Sequence, residues 1–127
     1  MVRAMEAARK AARRTQEATY EGLCTIFEYR EVMDEKTKLS SEKEIAVIEN
    51  QPCKLSFEKL TTVVQTENAA VQAQRAKLFL APEIMLSSNS KIVVTQNGVT
   101  SEYSASGIPA IYPTHQEITL ESFREWA

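Results

Sequence analysis

The segment Lys91-Ile-Val-Val-Thr-Gln-Asn-Gly-Val-Thr-Ser-Glu-Tyr103 constrains the fold more than any other stretch of the chain. Two alternating runs flank Asn97-Gly98, a pair that tolerates the positive φ values of a type I′ turn. The segment therefore predicts a tight β-hairpin. β patterning extends over most of the chain after Gly22. Leu23, Thr25, Phe27 and Tyr29 alternate with Cys24, Ile26, Glu28 and Arg30, as in a half-buried strand. Met33 to Lys43 is charged and reads as an exposed loop. Glu44 to Glu49, with Ile45, Val47 and Ile48, predicts a second strand, and Asn50-Gln51-Pro52 a break. Cys53 to Phe57 predicts a third strand, with Cys53, Leu55 and Phe57 inward. Arg75 to Leu80 places Ala76, Leu78 and Leu80 on one face, and Ala81-Pro82 ends it. Glu83 to Leu86 reads as a short extended piece. Gly107-Ile-Pro109 interrupts the strand after the hairpin, Ile111-Tyr-Pro113 is a connector, and Ile118, Leu120 and Phe123 mark a last strand ending near Trp126. About seven short strands with no helix between them predict an all-β domain, a small antiparallel barrel or sandwich.

The first residues differ in kind. Residues 2–18 are rich in Ala and Arg and hold no Gly, Pro or aromatic residue. They predict a helix, with Glu6 and Lys10 in the favourable i,i+4 order. Its apolar stripe is Val2, Met5, Ala8 and Ala12, a face that buries little area. Such a helix either packs closely on another chain or lies across one end of the barrel. The chain thus divides into a helical arm, residues 1–19, and a β-barrel domain, residues 20–127.

Charge follows the same division. The chain carries a net charge of −2. Residues 1–17 hold Arg3, Arg9, Lys10, Arg13 and Arg14 against Glu6 and Glu17, a net +3; the remainder holds ten basic and fifteen acidic side chains, a net −5. The five basic residues of the arm are candidates for docking on an acidic surface; a solvated helix face is the alternative. A second candidate is Leu60 to Ala73, a long segment without Gly, Pro or aromatic residue. Long loops in small domains are uncommon and usually functional or disordered. Within it, Thr61, Thr62, Val63, Val64, Gln65, Thr66, Glu67 and Asn68 read as an inserted loop that lines a channel or contacts a neighbour; a short helix through Ala69-Ala70-Val71-Gln72-Ala73 is the other option.

No catalytic set emerges. Cys24 and Cys53 fit no metal spacing or disulfide framework and read as buried free thiols. His115, the single histidine, stands in a polar stretch and reads as an exposed loop residue. No cofactor or metal is expected, and no enzymatic activity. No apolar run of transmembrane length and no signal peptide is expected either, so synthesis is cytoplasmic. The alternative function is a small OB-like nucleic-acid-binding barrel. Its acidic β part opposes phosphate binding.

Four ordered blocks add a resemblance: Glu49-Asn-Gln-Pro-Cys-Lys-Leu-Ser-Phe57, Lys77-Leu-Phe-Leu-Ala-Pro-Glu83, Lys91-Ile-Val-Val-Thr-Gln-Asn-Gly98, and His115-Gln-Glu-Ile with Glu125-Trp-Ala127. Together they resemble the head-closure (stopper) proteins of phages and prophages of Gram-positive bacteria. The resemblance implies a small β-barrel that assembles as a ring of about twelve copies in the virion neck. Its implied partners are its own copies, the portal and adaptor proteins on the head side and the tail terminator on the tail side. It also implies retention of packaged DNA in the channel without sequence-specific binding, no membrane, and a long barrel loop near the channel, for which Leu60 to Ala73 is the counterpart by position.

Overall fold

The structure is a computed structural model that describes residues 2–59 and 74–126. A helix, α1 (Val2–Glu17), precedes six strands: β1 (Gly22–Met33), β2 (Ser40–Lys59), β3 (Gln74–Leu80), β4 (Lys91–Gln96), β5 (Val99–Ile111) and β6 (Gln116–Ser122). All neighbours pair antiparallel, and the order β1-β2-β3-β6-β5-β4 closes on itself when β4 pairs with β1. The all-β barrel with an N-terminal helical arm is therefore observed. The predicted inserted loop, Thr61 to Asn68 included, lies outside the described residues.

The β4–β5 hairpin forms as its sequence requires. Gln96 faces Val99, and Asn97 and Gly98 take φ values of 53° and 75°. Alternation also places the core. Ile26, Leu78, Leu80, Ile92, Val94 and Ile118 are almost fully buried, with Cys24 and Cys53 between them. No aromatic residue belongs to this buried set; Tyr103 packs against it only partly buried. The interior of a small barrel has room for one layer of side chains, which suits branched aliphatics.

Two strands are longer than predicted, because residues that break regular β structure here make bulges. The predicted second and third strands are one strand, β2. Asn50 adopts φ 51° within it. Cys24 faces Gln51 while Phe27 faces Ala46, so three steps along β1 match five along β2. Bulges of this kind bend a strand and raise its twist, which lets one long strand follow the barrel wall. Pro52 sits beside the bulge, where strand prolines are tolerated. In β5, Gly107 takes φ 80°, and two extra residues separate the pairs Ser106–Thr119 and Ala110–Glu117. The expected break at Gly107-Ile-Pro109 is thus a bulge that projects Ile108, 95% exposed, into solvent. The merger leaves six strands where about seven were expected.

The region Met33 to Lys43, expected as loop, is only partly so. Ser40 to Lys43 pair with Met33 to Arg30, leaving a short turn. Phe57 is also corrected: it is 54% exposed, not inward. Cys53 and Leu55 do face the core, but Phe57 lies where the barrel wall opens.

Two glutamines complete the barrel. β1 begins opposite Cys53, so Leu55 lies beyond its start. The Gln96 side chain takes up Leu55 instead, accepting from its N–H (2.8 Å) and donating to its carbonyl (3.0 Å). Buried Gln116 donates to the carbonyls of Ala81 (2.8 Å) and Ile84 (2.6 Å), which pins the loop after β3 across one end. Ile84 and Leu86 of that loop pack against the core.

The inward and outward assignments are tested by truncation. Leu78→Ala should destabilise by about 2–5 kcal/mol, the usual range for a buried leucine. Phe57→Ala should change stability by no more than about 0.5 kcal/mol, as for a surface site. Urea unfolding of both variants measures the difference, and comparable losses would contradict the exposed position of Phe57.

Candidate functional site

The described surface offers three projecting features, and the arm is the most unusual. Every residue of α1 from Arg3 to Ala12 is exposed. Its half-buried residues are Arg13, Gln16 and Glu17, all in the last turns. Arg13 donates to Glu17 (2.6 Å) and to Glu83 in the loop after β3. Tyr20 follows half-buried, and burial pushes its hydroxyl pKa upward. The helix ends as its last carbonyls are taken by turn-type bonds, Thr19 N–H to Gln16 and Tyr20 N–H to Glu17.

The orientation of α1 reverses the usual arrangement. At about 3.6 residues per turn, Ala4, Ala8, Ala11 and Thr15 form one stripe, while Arg13, Gln16 and Glu17 lie on the opposite side. The helix therefore turns its polar side to its own barrel and its alanine side to solvent. An amphipathic helix normally does the reverse. Arg3, Lys10 and Arg14 recur at i, i+7 and i+11 and form a basic edge beside the alanine stripe. Among the described residues, Arg3, Arg9, Lys10 and Arg14 make no ion pair, so of the five predicted docking residues only Arg13 is engaged within the chain.

The second feature is a two-stranded ribbon. β1 leaves β4 at the pair Phe27–Lys91, and from Glu28 onward it pairs with β2 alone. The turn at its tip is closed by Asp34 N–H to Leu39 O (3.0 Å) and Lys38 N–H to Asp34 O (2.7 Å). Alternation sorts its side chains into two faces. One carries Tyr29, Glu31, Met33, Glu42 and Glu44; the other carries Arg30, Val32, Lys43 and Ile45. Glu31 stands directly opposite Glu42, and Arg30 opposite Lys43. Like charges in directly opposed positions destabilise a strand pair. Arg30 has relief from Glu28 (2.8 Å), and Glu44 accepts from Lys91 (2.9 Å). Glu31 and Glu42 have no ion pair among the described residues.

The third feature is a clasp formed by the C-terminal residues. Phe123 N–H donates to Glu102 O (3.1 Å), which leads the chain across to the base of the ribbon. There Trp126 stacks on Tyr29 at 5.2 Å and meets Phe123 edge-on at 5.1 Å. Lys91 lies over the rings of Phe27 and Phe123 and pairs with Glu44 and Glu102. The Glu44 hydrogen bond raises the Lys91 pKa above its ordinary value. A polar cleft of about 500 Å³ opens beside the clasp, between Ser88, Asn89, Glu121 and Trp126.

The residues weighed for chemistry have packing roles. His115 is not an exposed loop residue. Its ring stacks on Tyr112 at 5.0 Å, lies 5.7 Å from Phe79, and hydrogen-bonds both Thr114 (2.8 Å) and Glu117 (2.9 Å). The hydrogen bond with His115 holds the Glu117 carboxyl below its ordinary pKa, with a further contribution from nearby Lys77. Cys24 and Cys53 are buried free thiols on neighbouring strands. Their hydrogen bond and burial hold the Cys24 thiol well above its ordinary range. Among the described residues, no cluster of His, Cys, Asp or Glu could hold a metal ion, and no helix is long and apolar enough to cross a membrane.

The ribbon and the orientation of α1 were not read from the sequence. The signal for the ribbon was present: Val32 continues the alternation of β1 past Arg30, but the charges around it suggested a loop.

The hydrogen bond from Arg13 holds the Glu83 carboxyl below its ordinary pKa. A depressed carboxyl pKa contributes stability above the unfolded value, lost as pH falls through the folded one. The arm tether should therefore persist at neutral pH and release only below the ordinary glutamate pKa of about 4.3. Arg13→Ala should release it at all pH values while changing barrel stability by less than about 1 kcal/mol, since the pair is largely exposed. A spin label on the arm, read by its mobility, would check both; an arm equally immobile in Arg13→Ala would show that other contacts hold it.

Among solved structures, the chain is similar to a phage-like element PBSX protein, xkdH, from Bacillus subtilis, with 16% identity and a TM-score of 0.47 over 77% of this chain and 90% of that one. A similarity at that level decides neither fold nor role. No protein-family model matches the chain. No curated protein matches it.

Proposed function

We propose that this chain is a structural protein of the phage neck, a head-closure subunit. In this reading it is made in the host cytoplasm and joins a ring between the portal–adaptor complex and the tail. One observation carries the reading: a helical arm that turns its alanine stripe and basic edge away from its own barrel. A helix of 16 residues with no packed face is marginal in water. This one gains its missing contacts when another chain covers it. The ribbon and the exposed side chains of Ile108, Ile111 and Tyr112 on β5 and the turn after it add further unpartnered surface.

The sequence resemblance to head-closure proteins supports the same role. Its blocks fall on the middle of β2, on β3 and its exit, on β4 with its turn, and on β6 with the C-terminal clasp. They include the core residues Cys53, Leu55, Leu78, Leu80, Ile92, Val94 and Ile118, and Glu83, which tethers the arm. The blocks therefore describe a barrel wall together with the fixing points of its projections. A rigid closed scaffold presenting projections is what a ring subunit needs. Packaged DNA is the expected occupant of the ring channel, held without sequence-specific contacts.

The arm is the element to test. Reversing Arg3, Arg9, Lys10 and Arg14 to Glu leaves the Arg13 tether and the barrel intact. It should cut the yield of joined heads and tails by an order of magnitude or more. Each exposed pair contributes only about 0.2–1 kcal/mol, but a ring repeats the loss in every copy. Electron microscopy of complemented particles gives the count, and thermal unfolding gives the folding control. Joined particles at the wild-type level would refute the role.

A further inference from the structure

We propose that the arm of one copy docks on the outward face of the β1–β2 ribbon of a second copy, with the edge Arg3–Lys10–Arg14 against Glu31 and Glu42. The contact would be the joint of the ring proposed above and rests on that reading for its setting.

The chain itself carries both halves of a complementary pair. The arm has five basic and two acidic residues, and the ribbon region from Glu28 to Glu49 has seven acidic and four basic. On the ribbon, Glu31 and Glu42 face each other across the strands with no cation between them among the described residues. On the arm, Arg3, Lys10 and Arg14 have no anion among the described residues. Each surface lacks what the other holds. The spacings agree: Lys10 and Arg14 stand about 6 Å apart along a helix, and directly opposed strand residues such as Glu31 and Glu42 stand about 5 Å apart. The small side chains of Ala4, Ala7 and Ala11 beside the basic edge allow the helix to approach closely. Tyr29 and Met33, both exposed on the same ribbon face, supply apolar surface to meet them.

The occupant is a second copy because the arm is rooted at the opposite end of β6 from its own ribbon. Arg13 fixes α1 to the loop after β3, which Gln116 holds at the start of β6. The ribbon is fixed by Trp126, which follows the other end of β6. Two different patches at different ends make a head-to-tail contact. Contacts of that class repeat around an axis and close into a ring when the rotation between copies divides a full turn.

A photo-reactive benzoylphenylalanine at Ala8 tests the contact in the full chain. Equal amounts of ¹⁴N- and ¹⁵N-labelled protein are mixed at high concentration and low salt, irradiated and mapped by mass spectrometry. The expected cross-links join a light to a heavy chain and land within residues 28–45. Glu31→Lys with Glu42→Lys should lower their yield at least tenfold. Adding Arg3→Glu, Lys10→Glu and Arg14→Glu to the same chain should restore it. The milder Glu31→Gln with Glu42→Gln should give an intermediate yield and covers any folding defect of the reversal. Cross-links within single chains, cross-links to another segment, no cross-links, or indifference to the reversals would each overturn the proposal. Failure of the neck reading shows elsewhere. If arm reversal abolishes these cross-links yet heads and tails still join, the contact stands and the neck role falls. If ribbon reversal leaves joining intact while arm reversal blocks it, the neck role stands and the arm docks on another protein.

Discussion

Closure of the sheet is the constraint on which the rest of this structure depends. β1 bonds to β2 along one edge and to β4 along the other, so no strand of the barrel is left as an edge. Closure around six strands leaves an interior one side chain deep. It is filled by isoleucine, leucine, valine, alanine and two cysteines. Large rings do not fit there, and most of the aromatic residues accordingly serve outside the core. Tyr29, Phe123 and Trp126 fasten the C-terminal residues to the ribbon base, and Phe79, Tyr112 and His115 form a corner after β5. The polar groups that closure exposes at the barrel ends are met by side chains of matching shape. The amides of Gln96 and Gln116 satisfy backbone groups that no strand reaches, where an unpaired buried group would cost about 1–3 kcal/mol.

What closure does not use is left exposed on the surface. The arm is attached through one arginine and a half-buried tyrosine, and its small-residue stripe faces water. The ribbon extends past the last residue that β4 pairs, with like charges opposed across it. Neither arrangement is favourable in an isolated chain. Both become favourable when a partner of opposite charge covers them, because screening by water is then partly removed. The cost of these features is small beside the packed barrel, so the barrel tolerates them without loss of its fold.

The division between scaffold and projections accounts for the proposed role better than a chemical site would. Among the titratable groups with displaced pKa values, Glu83, Lys91 and Glu117 belong to ion pairs that fix the arm, the C-terminal clasp and the β6 corner. Perturbed values cluster at catalytic sites in enzymes, yet structural ion pairs produce them too. Here each of these three groups holds one piece of chain to another. The proposed assembly role asks for the same thing, surfaces presented in fixed relative positions.

Local chemistry determined a good part of this. Asn97-Gly98 dictated its turn because few residue pairs accept two positive φ values. Alternation identified Ala76, Leu78 and Leu80 as inward, since a strand reverses its side chains at every step. The composition of residues 2–18 dictated a helix, and its charge set it apart from the barrel. The same local reasoning failed where breakers met a closed sheet. Asn50, Pro52 and Gly107 end strands in isolation, but ladders on both sides carry β2 and β5 through them as bulges. Charge around Val32 concealed the ribbon, because a strand pair exposed on both faces has no apolar alternation to reveal it. Phe57 and His115 were misplaced because exposure depends on where the wall opens and which rings meet. The direction in which α1 turns its alanine stripe was decided by one ion pair between residues 70 positions apart. Periodicity determines which residues share a face of a helix; only the tertiary contact, Arg13 on Glu83, determines which face meets the barrel and which faces solvent.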